Sequence, residues 1–165
     1  MDKQQLGEQF MGTFQGAGYR FALVIARFNQ GIGEALGRAA QDTLLRHGVV
    51  ATDIDVAWVP GSFEIPLVAG RLAKSGRYAG IICLGAVIRG DTPHFDFVAA
   101  QAATGIARAS WKSGVPIAFG VLTCDTSEQA AARAGGKAGN KGHDAAMVAL
   151  EMAQLLRQLP PEVGV

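Results

Sequence analysis

The segment "RGDTPHFD" (residues 89–96) puts a histidine between two acidic residues, directly after an apolar run. Thr92 as N-cap and Pro93 at the first helical position predict a helix start, because proline has no N–H to leave unpaired there. His94 then lies in the first turn, where free N–H groups and the helix dipole favour an anion and a neutral, proton-accepting imidazole. Alternatives stay open: the histidine merely caps a turn, or Asp91 and Asp96 orient its ring or stabilise its protonated form.

Aromatic and acidic residues follow two other apolar runs. Phe28 and Phe63 could wall a flat ring system, although an aromatic at a loop edge more often packs in the core. Phe119 lies inside the fourth run and is interpreted as packing. Glu64 opens a helix, where an acidic residue also simply suits the dipole.

Basic residues surround two glycine-bearing breaks in "ARAGGKAGNKG", namely Arg133, Lys137 and Lys141. Glycine allows close backbone approach, so this composition suits phosphate binding, with a solvated basic loop as the alternative. The nucleotide-binding patterns GxxxxGK[ST] and GxGxxG after a first strand are absent. The residues alone thus indicate an enzyme without a cofactor. It would bind a flat polar ring and a phosphorylated small molecule, and His94 would move protons.

Four continuous apolar runs are predicted to be strands that position these residues. Continuous runs are typical of parallel strands covered on both faces. A helical pattern fills each gap, which indicates βαβ crossovers and one α/β domain over residues 1–165 with ligands at the carboxyl ends of the strands. Residues 1–18 have no helical period and form either a loose arm or an added edge strand. The runs cover residues 21–26, 54–59, 81–88 and 116–123.

Composition narrows the function classes. The formal net charge of +1 argues against nucleic acid as the main partner. No apolar run approaches the ~20 residues of a membrane span, and no signal-peptide pattern opens the chain, so we expect a cytoplasmic protein. Only 18% of residues are charged, which favours surface hidden in an oligomer. Cys83 and Cys124 form no CxxC pair; Cys83 is interpreted as a reduced core thiol rather than a metal ligand or half of a disulfide, and no metal site is predicted.

Five collinear segments give the chain a family resemblance. It resembles the 6,7-dimethyl-8-ribityllumazine synthases of riboflavin biosynthesis, which implies a flavodoxin-like three-layer αβα sandwich with a four-stranded parallel sheet. The implied reaction condenses 5-amino-6-(D-ribitylamino)uracil with 3,4-dihydroxy-2-butanone 4-phosphate and needs no metal or redox cofactor. The segments are "ARFN", "VPGSFEIP", "GAVIRGDTPHFD", "GVLTCDTSEQAAARAG" and "GGKAGNKGHDAA".

The resemblance implies that one group of residues binds the aminouracil. Phe28 would stack on the pyrimidine, with Asn29 supporting its loop. Side chains after the second strand would hold the ribityl chain and the ring edge, namely Ser62, Phe63 and Glu64. Backbone groups at the end of the third strand would meet the pyrimidine, namely those of Ala86, Val87 and Ile88.

A second group is implied to bind phosphate and move protons. His94 would be the general acid and base. The phosphate would be bound by Arg133 and by the backbone N–H groups of Asp91 and Thr92. Three residues match positions that family members contribute from the adjacent subunit, so a complete site would require an oligomer: Phe119, Arg133 and Lys141.

Family members assemble as pentamers, pairs of pentamers or sixty-subunit shells. The compact "GGKAGNKG" turn favours the shell of twelve pentamers, and residues 10–14 would add as a strand to a neighbour's sheet. Two rival functions remain. One is a non-catalytic shell protein that binds flavin or lumazine on the same fold. The other is a phosphosugar enzyme on a flavodoxin-like scaffold, suggested by fold analogy alone.

Overall fold

A computed structural model describes residues 7–162. Four parallel strands form a sheet in the order β2-β1-β3-β4, and a two-stranded antiparallel hairpin, β5-β6, lies apart from it. Short 3-10 helices occupy Ala51–Asp53 and Ser62–Glu64. The elements are β1 Phe21–Ala26, α1 Gln30–Arg46, β2 Ile54–Val59, α2 Ile65–Lys74, β3 Gly80–Ile88, α3 His94–Ser113, β4 Ile117–Cys124, α4 Ser127–Arg133, β5 Ala134–Gly136, β6 Gly139–Asn140 and α5 Lys141–Gln158.

Helices cover the sheet on both faces, which confirms the predicted flavodoxin-like αβα sandwich. All six β1 side chains are buried, and they alternate between two cores. Phe21, Leu23 and Ile25 pack with α1 and α5, whereas the side chains between them pack with α2 and α3. Alternation to both sides explains why the run is apolar throughout rather than at every second position.

The outer strands are less buried than the inner pair. Val56 and Trp58 of β2 and Phe119 of β4 are all exposed, because each of these strands has a neighbour on one side only. The interpretation of Phe119 as core packing was wrong, since its side chain is 46% exposed. Strand order decides this outcome, and a single apolar run does not reveal it.

Two local predictions are corrected. Helix α3 begins at His94 rather than Pro93, and the Thr92 hydroxyl accepts a long 3.4 Å bond from the His94 N–H. Helix α4 and the hairpin after it were not predicted, because glycines in that segment were interpreted as breaks. Gly135 and Gly139 have φ values of 110° and 79°, which favour glycine and form the hairpin.

The amino ends of the strands carry a paired polar cluster. Asp55 accepts hydrogen bonds from the Tyr78 hydroxyl at 2.6 Å and from Arg20 Nη2 at 2.9 Å. Arg20 also reaches Asp53 at 3.3 Å. The bond from Tyr78, followed by that from Arg20, lowers the pKa of Asp55. The partly buried polar groups at this end of the sheet thus satisfy one another.

Residues 7–18 lie against α5 of the same chain without regular secondary structure. The side-chain amide of Gln158 donates to the Met11 carbonyl at 2.7 Å, and Gln154 donates to the Gln15 carbonyl at 2.6 Å. A Cβ at Gly12 would overlap the carbonyl of Glu151. The predicted strand at residues 10–14 is not formed within one chain, its addition to a neighbour stays a prediction, and residues 1–6 of the predicted arm lie outside the described residues.

In the part of the chain that the structure describes, no helix combines the length and the apolar composition needed to cross a membrane.

Candidate active site

A cavity of about 710 Å³, called the first cavity, lies at the carboxyl ends of β1, β2 and β3 and at the start of α3. Ligands bind at this end of open parallel sheets. The cavity brings together nine residues selected from the sequence, which come from four separate segments of the chain. These are Phe28, Ser62, Phe63, Glu64, Ala86, Val87, Ile88, Thr92 and His94.

Aromatic side chains form much of the lining of the first cavity. Phe28 is 73% exposed and Phe63 is 57% exposed, so neither packs in the core. Phe97, also exposed, lines the cavity and was missed by the sequence analysis. It follows His94 by three positions on α3, and residues at that spacing share a helix face, which is the signal that was available. Such surfaces suit a flat ring.

Asn29 positions the loop that carries Phe28. Its φ of 59° lies in the left-handed region, and its side-chain amide donates to the Ala86 carbonyl at 3.1 Å. The Phe28 N–H donates to the Pro60 carbonyl at 3.0 Å. These bonds tie the end of β1 to β3 and to the segment after β2. Asn29 therefore acts on the cavity through Phe28 rather than by lining it.

The end of β3 offers backbone groups to the first cavity. The N–H groups of Ile81 and Arg89 donate to the Pro116 and Cys124 carbonyls on the β4 side, and in a parallel strand successive residues bond to opposite sides. The backbone N–H and carbonyl groups of even-numbered β3 residues therefore point towards β1. Pairing between β3 and β1 ends at Leu84, and the Ala86 carbonyl accepts a hydrogen bond from Asn29. The backbone polar groups of Ile88 therefore lie beyond the end of β1, beside the cavity.

Ser62 contributes a hydroxyl without a partner. Only 5% of the residue is exposed, and Oγ makes no hydrogen bond to any residue from 7 to 162. A Cβ at Gly85 would lie 3.0 Å from that oxygen, so glycine leaves room for it. A buried hydroxyl left unsatisfied costs about 1–3 kcal/mol. Its place in the cavity lining fits a polar group of a ligand.

His94 lies beside a segment of free N–H groups. Within residues 7–162 the backbone N–H groups of Gly90, Asp91 and Thr92 have no acceptor, and the His94 ring has no hydrogen-bond partner. The Asp96 carboxylate accepts from Arg89 rather than from the imidazole. Within residues 7–162, neither neighbouring acid therefore orients the ring through a hydrogen bond. The segment retains the donors that an anion requires.

The second cavity, of about 480 Å³, lies along β4 and the start of α5. Phe119, Arg133 and Lys141 line it, and none of them lines the first cavity. Arg133 Nη1 donates to the Gln129 carbonyl at 3.1 Å, and Lys141 Nζ donates to Asp144 at 2.8 Å. The basic side chains are thus separated from His94 within one chain.

Lys137 lies in the hairpin turn, is exposed and lines neither cavity. Cys83 and Cys124 are buried free thiols, and burial raises the pKa of each. Cys83 lies in the core, as its interpretation predicted. Among residues 7–162, no three histidine, cysteine or acidic side chains lie close enough to share a metal ion.

Comparison with known families agrees with this geometry. The family model described as 6,7-dimethyl-8-ribityllumazine synthase matches residues 18–157 of the 165-residue chain. The match includes every residue that lines the two cavities, and it leaves out most of the N-terminal arm. Covering far more than half of the chain, it shows that the protein belongs to the 6,7-dimethyl-8-ribityllumazine synthase family, a family of transferases in riboflavin biosynthesis.

Proposed function

We propose that the protein condenses 5-amino-6-(D-ribitylamino)uracil with 3,4-dihydroxy-2-butanone 4-phosphate. The reaction would take place where the first cavity of one copy meets the second cavity of the next. The observation that carries the proposal is the separation of these cavities: one chain keeps the aromatic walls and His94 apart from Phe119, Arg133 and Lys141. Both sets suit the same two substrates, and two copies would bring them together.

The aminouracil would bind in the first cavity. Phe28 stacks on the pyrimidine, and Phe63 and Glu64 hold the ring edge and the ribityl chain. The buried Ser62 hydroxyl gains a partner when a ribityl or ring oxygen reaches it. The backbone of Ala86, Val87 and Ile88 lies beside the pyrimidine edge, and the polar groups of Ile88 hydrogen-bond to it. The aromatic lining supports a flat ring, and the polar groups of the strand ends support its hydrogen bonds.

The phosphate of the second substrate would bind between the two copies. The free N–H groups of Asp91 and Thr92 donate to it, and Arg133 of the adjacent copy neutralises its charge. Guanidinium groups suit phosphate because they donate two parallel bonds. Phe119 and Lys141 of the same copy close the site around the substrates. One copy thus provides the backbone N–H donors, and the adjacent copy provides the positively charged side chains.

The chemistry consists of condensations and proton transfers. The 5-amino nitrogen attacks the ketone carbon, and loss of water gives an imine. A proton leaves the adjacent carbon as phosphate departs from the next one, and the resulting enol gains a proton at its terminal carbon to become a ketone with a new methyl group. The ribitylamino nitrogen then closes the ring with loss of a second water. His94 accepts and returns these protons, which is worth about 10²–10⁴-fold, and holding both substrates together supplies much of the remainder.

A pentamer provides one such junction between each pair of neighbours, and twelve pentamers form the proposed sixty-subunit shell. The first cavity lies at the ends of β1, β2 and β3, and the second lies along β4 of the same sheet. Each copy can therefore contribute its first cavity to one neighbour and its second cavity to the other in a closed ring. Residues 10–14 would pair with a neighbour's sheet. Native mass measurement distinguishes the shell from a free pentamer.

Mixing the purified protein with both substrates tests the activity. We expect the absorbance and fluorescence of the lumazine product to rise above the uncatalysed background, with one phosphate released for each lumazine. Binding without product would instead support a non-catalytic shell protein. Phosphate release that does not depend on the aminouracil would support a phosphosugar enzyme.

A further inference from the structure

Arg89 joins three parts of the molecule at the end of β3. Its Nε donates to Asp125 at 2.9 Å in the loop after β4. Its Nη1 donates to Asp96 at 3.4 Å in the first turn of α3. The guanidinium also lies over the Phe95 ring, 4.3 Å from the ring centroid. One side chain thus contacts the loop after β4 and two adjacent residues in the first turn of α3.

The ion pair with Asp96 spans the anion-binding segment. Residues 90–95 lie between the two partners and include His94 and the free N–H groups at Asp91 and Thr92. Phe95, whose ring Arg89 covers, lines the first cavity. The bond to Asp125 fixes the same segment to the loop that leads into α4, and α4 ends at Arg133. Arg89 therefore contacts both ends of the segment and the support of the second cavity.

Arg89 itself does not line either cavity. Its Nε and Nη1 donors are directed to two carboxylates. Binding the substrate phosphate through either of these donors would require Arg89 to leave a partner. The contacts therefore favour an indirect role.

We propose that Arg89 is a positioning residue for the phosphate-bearing substrate. This inference rests on the proposed function, because it assigns a role in that reaction. The planar guanidinium holds the β3–α3 segment at the spacing where its N–H groups and His94 meet the phosphate and the reacting carbon. A small displacement of such a segment is costly, because about 1 Å of misplacement can reduce the rate by ~10²-fold.

Steady-state kinetics of Arg89→Lys provide the test. Lysine keeps the positive charge but lacks the fork that reaches two carboxylates at once. We expect the KM for the butanone phosphate to rise by about tenfold and kcat to fall by about tenfold. The KM for the aminouracil should stay within about twofold of the wild-type value, because Phe28 and the end of β2 do not depend on Arg89.

Variants of the acidic partners separate positioning from direct binding. Asp125→Asn and Asp96→Asn leave Arg89 in place and weaken its attachment. A positioning role predicts that the double variant reproduces the defect of Arg89→Lys. It also predicts that Asp125→Glu, which keeps a carboxylate for Arg89, retains most of the wild-type activity. Direct binding predicts the opposite: the freed guanidinium would bind inorganic phosphate, used as a competitive inhibitor, more tightly than in the wild type.

Arg46→Lys is the matched control. Arg46 Nε donates to Asp42 at 2.7 Å in an exposed ion pair on α1, away from both cavities. We expect wild-type kinetics from this variant. An Arg89→Lys protein that matches it, or that loses activity equally toward both substrates in proportion to a fall in Tm, would overturn the inference. A wild-type protein that makes no lumazine would contradict the proposed function instead.

Discussion

The two ends of the sheet treat their polar groups in opposite ways. At the amino end, Arg20, Asp55 and Tyr78 are bonded to one another. At the carboxyl end, the Ser62 hydroxyl and the N–H groups of residues 90–92 have no partner among residues 7–162. Polar groups that bond to one another need no further partner and stabilise the fold, whereas unpaired groups gain hydrogen bonds when a ligand binds. The contrast predicts that changes at one end alter stability and changes at the other alter catalysis.

His94→Ala should produce the largest effect. Loss of the acid and base group at the carboxyl end is expected to lower kcat by about 10²–10⁴-fold without abolishing turnover, because the substrates are still held together. Single-turnover measurements of lumazine formation check this. His47→Ala is the control at the amino end, where the His47 ring bonds to the Thr43 carbonyl. A folded, substrate-binding His94→Ala protein without any turnover would contradict the account.

Arg133→Ala should follow in size. A hydrogen bond to a charged group is worth about 1.5–3 kcal/mol, so the KM for the butanone phosphate should rise by roughly 10–100-fold, with little change for the aminouracil. Lys137→Ala removes a nearby positive charge that lines neither cavity, and it should leave both KM values unchanged. Equal effects of the two variants would mean that only the general charge of the loop matters.

Phe28→Ala should have a smaller effect on the other substrate. An aromatic pair contributes about 0.5–1.5 kcal/mol beyond its buried area, so the KM for the aminouracil should rise by about tenfold at most. Fluorescence titration with the aminouracil measures the loss directly. An unchanged dissociation constant for the aminouracil would show that Phe28 does not contribute to its binding.

Asp55→Asn should have the smallest effect, and on stability alone. The folded-state pKa of Asp55 lies below its ordinary value of 3.8, so its stabilisation is present above that value and is lost as the pH falls through the lowered pKa. The side chain is 38% exposed, and such pairs contribute about 0.2–1 kcal/mol. We expect Tm at neutral pH to fall by about 2–4 °C or less, and the difference from wild type to shrink in acid. A change in kcat would break the comparison.

The sequence predicted the sheet well, because continuous apolar runs admit few alternatives. Of the eight predicted strand boundaries, five are exact and three shift by one residue, at Gly80, Ile117 and Cys124. The outer position of β4 was not predictable, since strand order depends on contacts between distant segments. Phe119 was therefore interpreted as packing.

The first cavity was largely predictable, since the carboxyl ends of parallel strands meet at one edge. The chain's own spacing did not reveal that Arg133 and Lys141 lie in a separate cavity; only the family resemblance implied it. Phe97 and Arg89 were missed for different reasons. The helical spacing from His94 signals Phe97, whereas the contacts of Arg89 depend on Asp125, which is 36 positions away.

Co-expression of His94→Ala with Arg133→Ala tests the central claim that each site combines cavities from two copies. Assayed with the butanone phosphate near its wild-type KM, each variant alone is expected to have little activity, because Arg133→Ala raises that KM and His94→Ala lowers kcat. In mixed rings, about a quarter of the junctions would pair an intact first cavity with an intact second cavity. The account therefore predicts that mixed assemblies recover about a quarter of wild-type lumazine formation. Activity no greater than the average of the two separate variants, in assemblies shown to contain both, would contradict it.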